Sequence, residues 1–176
     1  MKLHFNARAN TDENHIAFID QVTDALKDKS YSVRLSQLAV HAIKELLTNC
    51  EKYSAFPEGK DDVGITLEMN DEPSKHVNII AKSYGLEENV EKLRAHFNMV
   101  STYDSEEALN EAQSAMMRKN RGTKKSQIGF FQMAKFSFAT RQELGHHNFT
   151  LDTNKSADPQ YHEAIIKLTL SHNAHP

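Results

Sequence analysis

The sequence predicts an α+β fold: a two-layer sandwich whose mixed, mostly antiparallel sheet is covered by helices on one face. Short alternating strands arrive as hairpins, amphipathic helices fill the intervals between them, and no stretch rich in Pro, Gly or Ser divides the chain. The length of 176 residues, with only six Gly and four Pro, fits a single domain over 1–176. A chain of that size buries about 70% of its unfolded surface, enough for a real core.

The alternation of Met1 to Asn6 predicts a first strand. Asn10-Thr11-Asp12-Glu13 supplies capping chemistry for a helix bearing Ile16, Ile19, Val22 and Leu26 at helical spacing. From Arg34 to Ser54, Leu35, Leu38, Ala39, Ala42, Ile43, Leu46 and Cys50 form one stripe and predict the best-defined helix. Phe56-Pro57-Glu58-Gly59 ends it, because Pro57 disfavours helix at the preceding residue and Gly59 permits a turn. Val63 to Met69 and His76 to Lys82 then read as strands joined by the turn cluster Asn70 to Ser74. Helices follow near Glu87 to Asn98, Ser105 to Lys119 and Ile128 to Ala139. Strands near Leu144 to Asp152 and His162 to Leu170 close the chain, separated by Asn154 to Pro159.

Composition removes several functional classes. The 21 basic and 24 acidic residues give a net charge of −3, which offers no domain-wide attraction for a phosphate backbone and disfavours nucleic acid as a partner. A single Cys excludes an intrachain disulfide. Without an apolar run of about 18 residues or the apolar core of a signal peptide, the chain reads as a soluble, cytoplasmic protein with no membrane partner. Ten His are scattered along it. His146-His147 and His162 do not make a convincing metal site, because adjacent strand residues point to opposite faces and only one of the pair can join His162.

The Arg34 to Ser54 helix carries polar residues at its edge. At about 100° per residue, Asn49 falls roughly 40° from Glu45 and roughly 20° from Ala42, so Glu45 and Asn49 flank the buried stripe. His41 and Lys52 lie on the same flank. Such a row suits a pocket in which Glu45 acts as general base and Asn49 as a neutral oxygen ligand for magnesium. It equally suits an i, i+4 hydrogen-bonded pair with Lys52 as counter-ion. Cys50, on the apolar stripe, reads as a buried structural thiol. Met116-Met117 and Phe130, Phe131, Phe136 and Phe138 read as core packing or, failing that, as an exposed partner or homodimer surface.

The run Glu45-Leu46-Leu47-Thr48-Asn49-Cys50-Glu51-Lys52-Tyr53-Ser54 resembles the N-box of the GHKL ATPase superfamily, which includes histidine-kinase catalytic domains and anti-sigma-factor kinases. The later order is similar to the SiaB-like regulators of that superfamily: a hairpin, then Leu86 to Leu93, a polar helix opened by Asp104-Ser105-Glu106-Glu107, and Ser126-Gln127-Ile128-Gly129-Phe130-Phe131 heading another helix. The resemblance runs from about residue 34 to 170. It implies a Bergerat-type sandwich holding ATP and magnesium, with Glu45 catalytic, Asn49 on the metal, and Lys52, Ser83, Gly129, Arg121 and Lys124 around the nucleotide.

Two boxes depart from that pattern. The stretch Ile80-Ala81-Lys82-Ser83-Tyr84-Gly85 has no carboxylate where the superfamily reads adenine with an Asp; a Ser83 hydroxyl gives a hydrogen bond without the charge. Ser126 to Phe130 keeps only Gly129, although phosphate-cradling backbone needs Gly wherever a Cβ would block the approach. Against this, Arg118, Lys119, Arg121, Lys124 and Lys125 place five cations where the superfamily has its lid, as an anion clamp or as a solvated loop. The sequence thus points to a signalling regulator with an eroded nucleotide site that acts by binding a small regulatory partner protein. The alternative is an active ATP- and magnesium-dependent Ser/Thr kinase of the SiaB or anti-sigma type.

Overall fold

The computed structural model describes residues 1–9, 11–71, 75–119, 130–137 and 148–171. Strand β1 (Lys2–Asn6) leads through a 3₁₀ turn (Ala7–Ala9) into helices α1 (Asp12–Asp28) and α2 (Val33–Tyr53). The hairpin β2 (Gly64–Asn70) and β3 (His76–Leu86) follows, then α3 (Glu87–Ser101) and α4 (Glu106–Lys119). Residues 130–137 form helix α5, and β4 (Phe149–Lys155) and β5 (Tyr161–Ser171) complete the described chain.

The helices start where local chemistry satisfies their free N–H groups. Thr11 caps α1 by accepting from the Asn14 N–H, and Ser32 caps α2 by accepting from the Leu35 N–H at 3.2 Å. The Ser105 hydroxyl accepts from the Ala108 N–H at the start of α4. The C-terminus of α1 turns through Ser30 at φ 55°, and the Lys75 ammonium donates to the carbonyls of Lys29 and Ser30.

The strands form one sheet in the order β1-β2-β3-β5-β4. Among the described strands every neighbouring pair is antiparallel, in keeping with the expected two-layer sandwich and mostly antiparallel sheet and with no parallel pair in it. No right-handed strand-helix-strand crossover between neighbours is required, because β2–β3 and β4–β5 are hairpins and β5 returns antiparallel beside β3. Strand β3 also runs on to Leu86, past the expected end at Lys82, because Ser83 to Leu86 pair with Ala164 to Tyr161 of β5.

Alternation sorts the sheet's two faces. Leu3, Phe5, Ile65, Leu67, Met69, Val77, Ile79, Ala81, Ile166, Leu168 and Leu170 meet Phe18, Val22, Leu26, Leu35, Ile43 and Leu46 of α1 and α2 in one core. Fully burying each such Leu, Ile, Val or Phe is worth about 1.5–3 kcal/mol, which fixes the register, since a one-residue slip would turn the set to water. On the opposite face three cross-strand ion pairs form: Lys2 with Glu68 at 3.1 Å, Lys167 with Asp152 at 3.2 Å, and Lys82 with Glu163 at 2.6 Å.

The connection from α2 to β2 is tied down from both sides. The Arg8 guanidinium donates to the carbonyls of Phe56, Pro57 and Lys60, and Lys82 reaches Asp62 at 2.5 Å. Gly59 takes φ +72° as its turn role predicts. Gly64 is required by a close approach: a Cβ there would lie 1.9 Å from the Phe5 carbonyl oxygen of the paired strand. Among the described residues, no helix is long and apolar enough to cross a membrane.

Candidate functional site

Helix α2 presents the edge that the sequence singles out. Leu35, Ala39, Ala42, Ile43, Leu46 and Cys50 are buried, Lys44, Thr48 and Glu51 are exposed, and Glu45 and Asn49 are half-buried between them. Leu47 is buried too, so the apolar stripe is wider than the i, i+3, i+4 set alone. Lys52 is exposed, and among the described residues it forms no ion pair with Glu45. The neighbour of the Glu45 carboxylate is His41, one turn earlier, whose Nε2 stands 4.0 Å from Oε1. On the other side of His41 the Phe136 ring of α5 packs edge-on, with centroids 5.3 Å apart.

Ser83 lies opposite Ala164, half-buried, at a helix-facing position of β3. The end of α2 is brought to the same end of the sheet by a short bridge in which the Ala55 N–H donates to the Tyr84 carbonyl at 2.6 Å. The chain leaving α2 is therefore joined to β3 one residue beyond Ser83 and six residues beyond Asn49. Gly129, Arg121 and Lys124, with the rest of the basic run after Lys119, lie outside the described residues. So do His146, His147 and Phe138.

Cys50 is buried, and burial pushes its thiol up to about 11, against any nucleophilic role at neutral pH. Among the described residues, no group of three or more His, Cys, Asp and Glu is placed to hold a metal. Helix α5 buries Phe130, Phe131, Met133 and Ala134. It is clasped from several elements: Phe130 by Phe97 and Phe149, Phe131 by Tyr103, and Lys135 by the Gln113 side chain of α4. Met116 packs at the core margin, while Met117 is exposed. An open concavity on α4, lined in part by Tyr103, Asn110, Glu111, Ser114 and Arg118, stands on a different element from Glu45 and Asn49.

One polar cluster escapes the sequence reading. Tyr84 is almost fully buried, its hydroxyl donates to Glu163 Oε1 at 3.1 Å, and Lys60 and Lys82 stand over its ring. Glu163 also accepts from Asn154 at 3.2 Å. Burial opposes the Glu163 charge, but the bonds from Lys82, Asn154 and Tyr84 outweigh it and hold the carboxyl below its usual range. For Lys82, burial likewise opposes the charge, and its bonds to Asp62, Glu163 and Tyr84 raise it above the ordinary ammonium value. The sequence offered little signal, since the expected strand ended at Lys82, before Tyr84, and the acids that complete the cluster come from elsewhere in the chain.

Comparison by sequence gives no match, either to a family model or to a curated protein. By structure, the chain is similar to a chain in the crystal structure of the SiaB-SiaC complex from Pseudomonas aeruginosa, with TM-score 0.72 and 10% identity. The match covers 97% of this chain and 89% of that one, so the likeness extends over the whole α+β sandwich and is one of fold.

Proposed function

We propose that this protein is a signalling regulator of GHKL-like fold that acts by binding a small regulatory partner protein and whose ATP site is eroded. The observation that carries the reading is Ser83. It occupies a half-buried, helix-facing position of β3 beside the end of α2, where the resemblance would require an adenine-reading carboxylate. A hydroxyl there makes a neutral bond, roughly half as strong as a charge-assisted one. The fold supports the partner-binding half of the proposal, because a chain of similar architecture is found in a complex of two proteins.

Calorimetric titration of the full chain with ATP and magnesium tests it. The expected result is no binding tighter than about 1 mM, which corresponds to roughly −4 kcal/mol. Micromolar binding would overturn the proposal in favour of an active Ser/Thr kinase. The observation favouring that second reading is the common half-buried flank of Glu45 and Asn49, with Glu45 to activate the acceptor hydroxyl and Asn49 to hold magnesium. Glu45→Ala would then abolish phosphoryl transfer with the fold intact.

A further inference from the structure

We propose that His96 is a proton-sensitive latch for α5: the neutral imidazole seats Phe130 and Phe131, and the imidazolium releases them. His96 projects from α3 against the first turn of α5, its ring 5.2 Å from that of Phe130 and 6.0 Å from that of Phe131, both edge-on. Its Nε2 is buried and, among the described residues, has no hydrogen-bond partner. Neutral imidazole tolerates this by leaving one nitrogen without a proton, whereas in the imidazolium both nitrogens are donors, and this one would face apolar rings. Burial accordingly holds His96 below the usual imidazole range.

The charged groups described on the surrounding elements are paired elsewhere or exposed; Glu87 of α3 stands 4.0 Å from His162 of β5. On α3, Lys92 binds Glu88, and Arg94 binds Glu91 and the Thr153 hydroxyl. Lys135 of α5 binds Gln113, Asp152 of β4 binds Lys167, and Lys155 is exposed. None supplies an acceptor to Nε2. Among the described residues, the other imidazole at α5 is His41, half exposed beside Phe136 at the helix's other end.

The direction of the effect follows from linkage. The released imidazole binds a proton more readily than the seated one, so α5 docking is fully present above about pH 6.5 and weakens as pH falls below it, by up to tenfold per pH unit. Release bares Phe130 and Phe131, which are 6% and 1% exposed when seated, and withdraws Phe136 from His41 on the Glu45 flank. The latch is independent of whether a nucleotide binds that flank.

Hydrogen exchange of the full chain, followed by mass spectrometry and corrected for intrinsic rates, tests the latch between pH 7.5 and 5.5. In the wild type, protection over residues 130–137 should fall roughly tenfold relative to residues 77–81 of β3, and His96→Phe should abolish that fall while His41→Phe preserves it. An unchanged fall in His96→Phe, its loss in His41→Phe, or no fall in the wild type would overturn the latch. Should His96→Phe fail to fold, an NMR titration of the wild-type imidazoles decides: His96 must titrate below the free imidazole value, and a value at or above it refutes the proposal.

Discussion

Replacing Lys82 by Met removes the ammonium that joins β3 to Glu163 of β5 and to Asp62 of the α2–β2 connection, while keeping most of the apolar stem that covers Tyr84. The two lost pairs differ in weight. Asp62 is 54% exposed and returns to water, so its pair contributes little. Glu163 is 17% exposed and keeps only the Tyr84 and Asn154 donors, leaving a largely desolvated carboxylate without its counter-charge. That loss costs about 2 kcal/mol, within the range for charge-assisted bonds in partly buried sites. For a chain of this length it lowers Tm by roughly 4–8 °C. Thermal and urea unfolding followed by circular dichroism at pH 7 measure it, and Glu163→Gln alone and combined with Lys82→Met completes a double-mutant cycle with an expected coupling of about 1–2 kcal/mol. The pH dependence has a definite sign. The Glu163 and Asp62 carboxyls are held low and Lys82 is held high, so the contribution is present at neutral pH and disappears as pH falls through the acid range. The difference between wild type and Lys82→Met should therefore stay constant from about pH 6 to 9 and shrink below about pH 4. A Lys82→Met protein within about 0.5 kcal/mol of wild type, or a cycle without coupling, would refute the reasoning.

Two backbone substitutions test the chain reversals. Gly64→Ala should destabilise by about 3–5 kcal/mol in urea unfolding, because the new Cβ meets the Phe5 carbonyl and not a movable side chain. Gly59→Ala, with nothing within 4 Å but φ +72°, should cost only about 1 kcal/mol. Ser30→Gly should stabilise by about 0.5–1 kcal/mol, since φ 55° suits Gly and the Lys75 bonds go to the main chain and survive; a loss of stability would show that the Ser30 side chain has a role of its own.

The elements were legible wherever one period dominated. Helix α2 matches its stripe from Val33 to Tyr53, and β2 and β5 match their alternation, because a single buried face imposes the pattern. Element ends were less legible where pairing overrides local chemistry. The strand expected to end at Lys82 continues through Ser83, Tyr84 and Gly85, because β5 lies alongside and keeps them extended. Helix α3 likewise continues beyond Asn98 to Ser101, burying Val100. At the candidate site, the half-buried placement of Glu45 and Asn49 followed from helical geometry alone. The exposure of Lys52 did not, because it sits in the last turn of α2, next to the connection that bridges to Tyr84 of β3. The Tyr84–Glu163 bond spans 79 residues, and His96 meets its rings only after α5 has folded back on α3. Neither has a local signature in a single sequence.

The ion pairs on the side of the sheet away from α1 and α2 have a bearing on how anything approaches this molecule. Lys2, Lys82 and Lys167 each stand against an acid from a neighbouring strand, so plus and minus alternate within a few ångströms. Such a surface is electrically silent beyond about 8 Å at physiological salt, because paired charges present only short-range dipoles that the solution screens. These pairs therefore exert no pull on an incoming charged protein at encounter distance. Steering, if the partner is charged, falls to the helices and to the basic run that follows α4, and salt should slow association only as far as those charges take part.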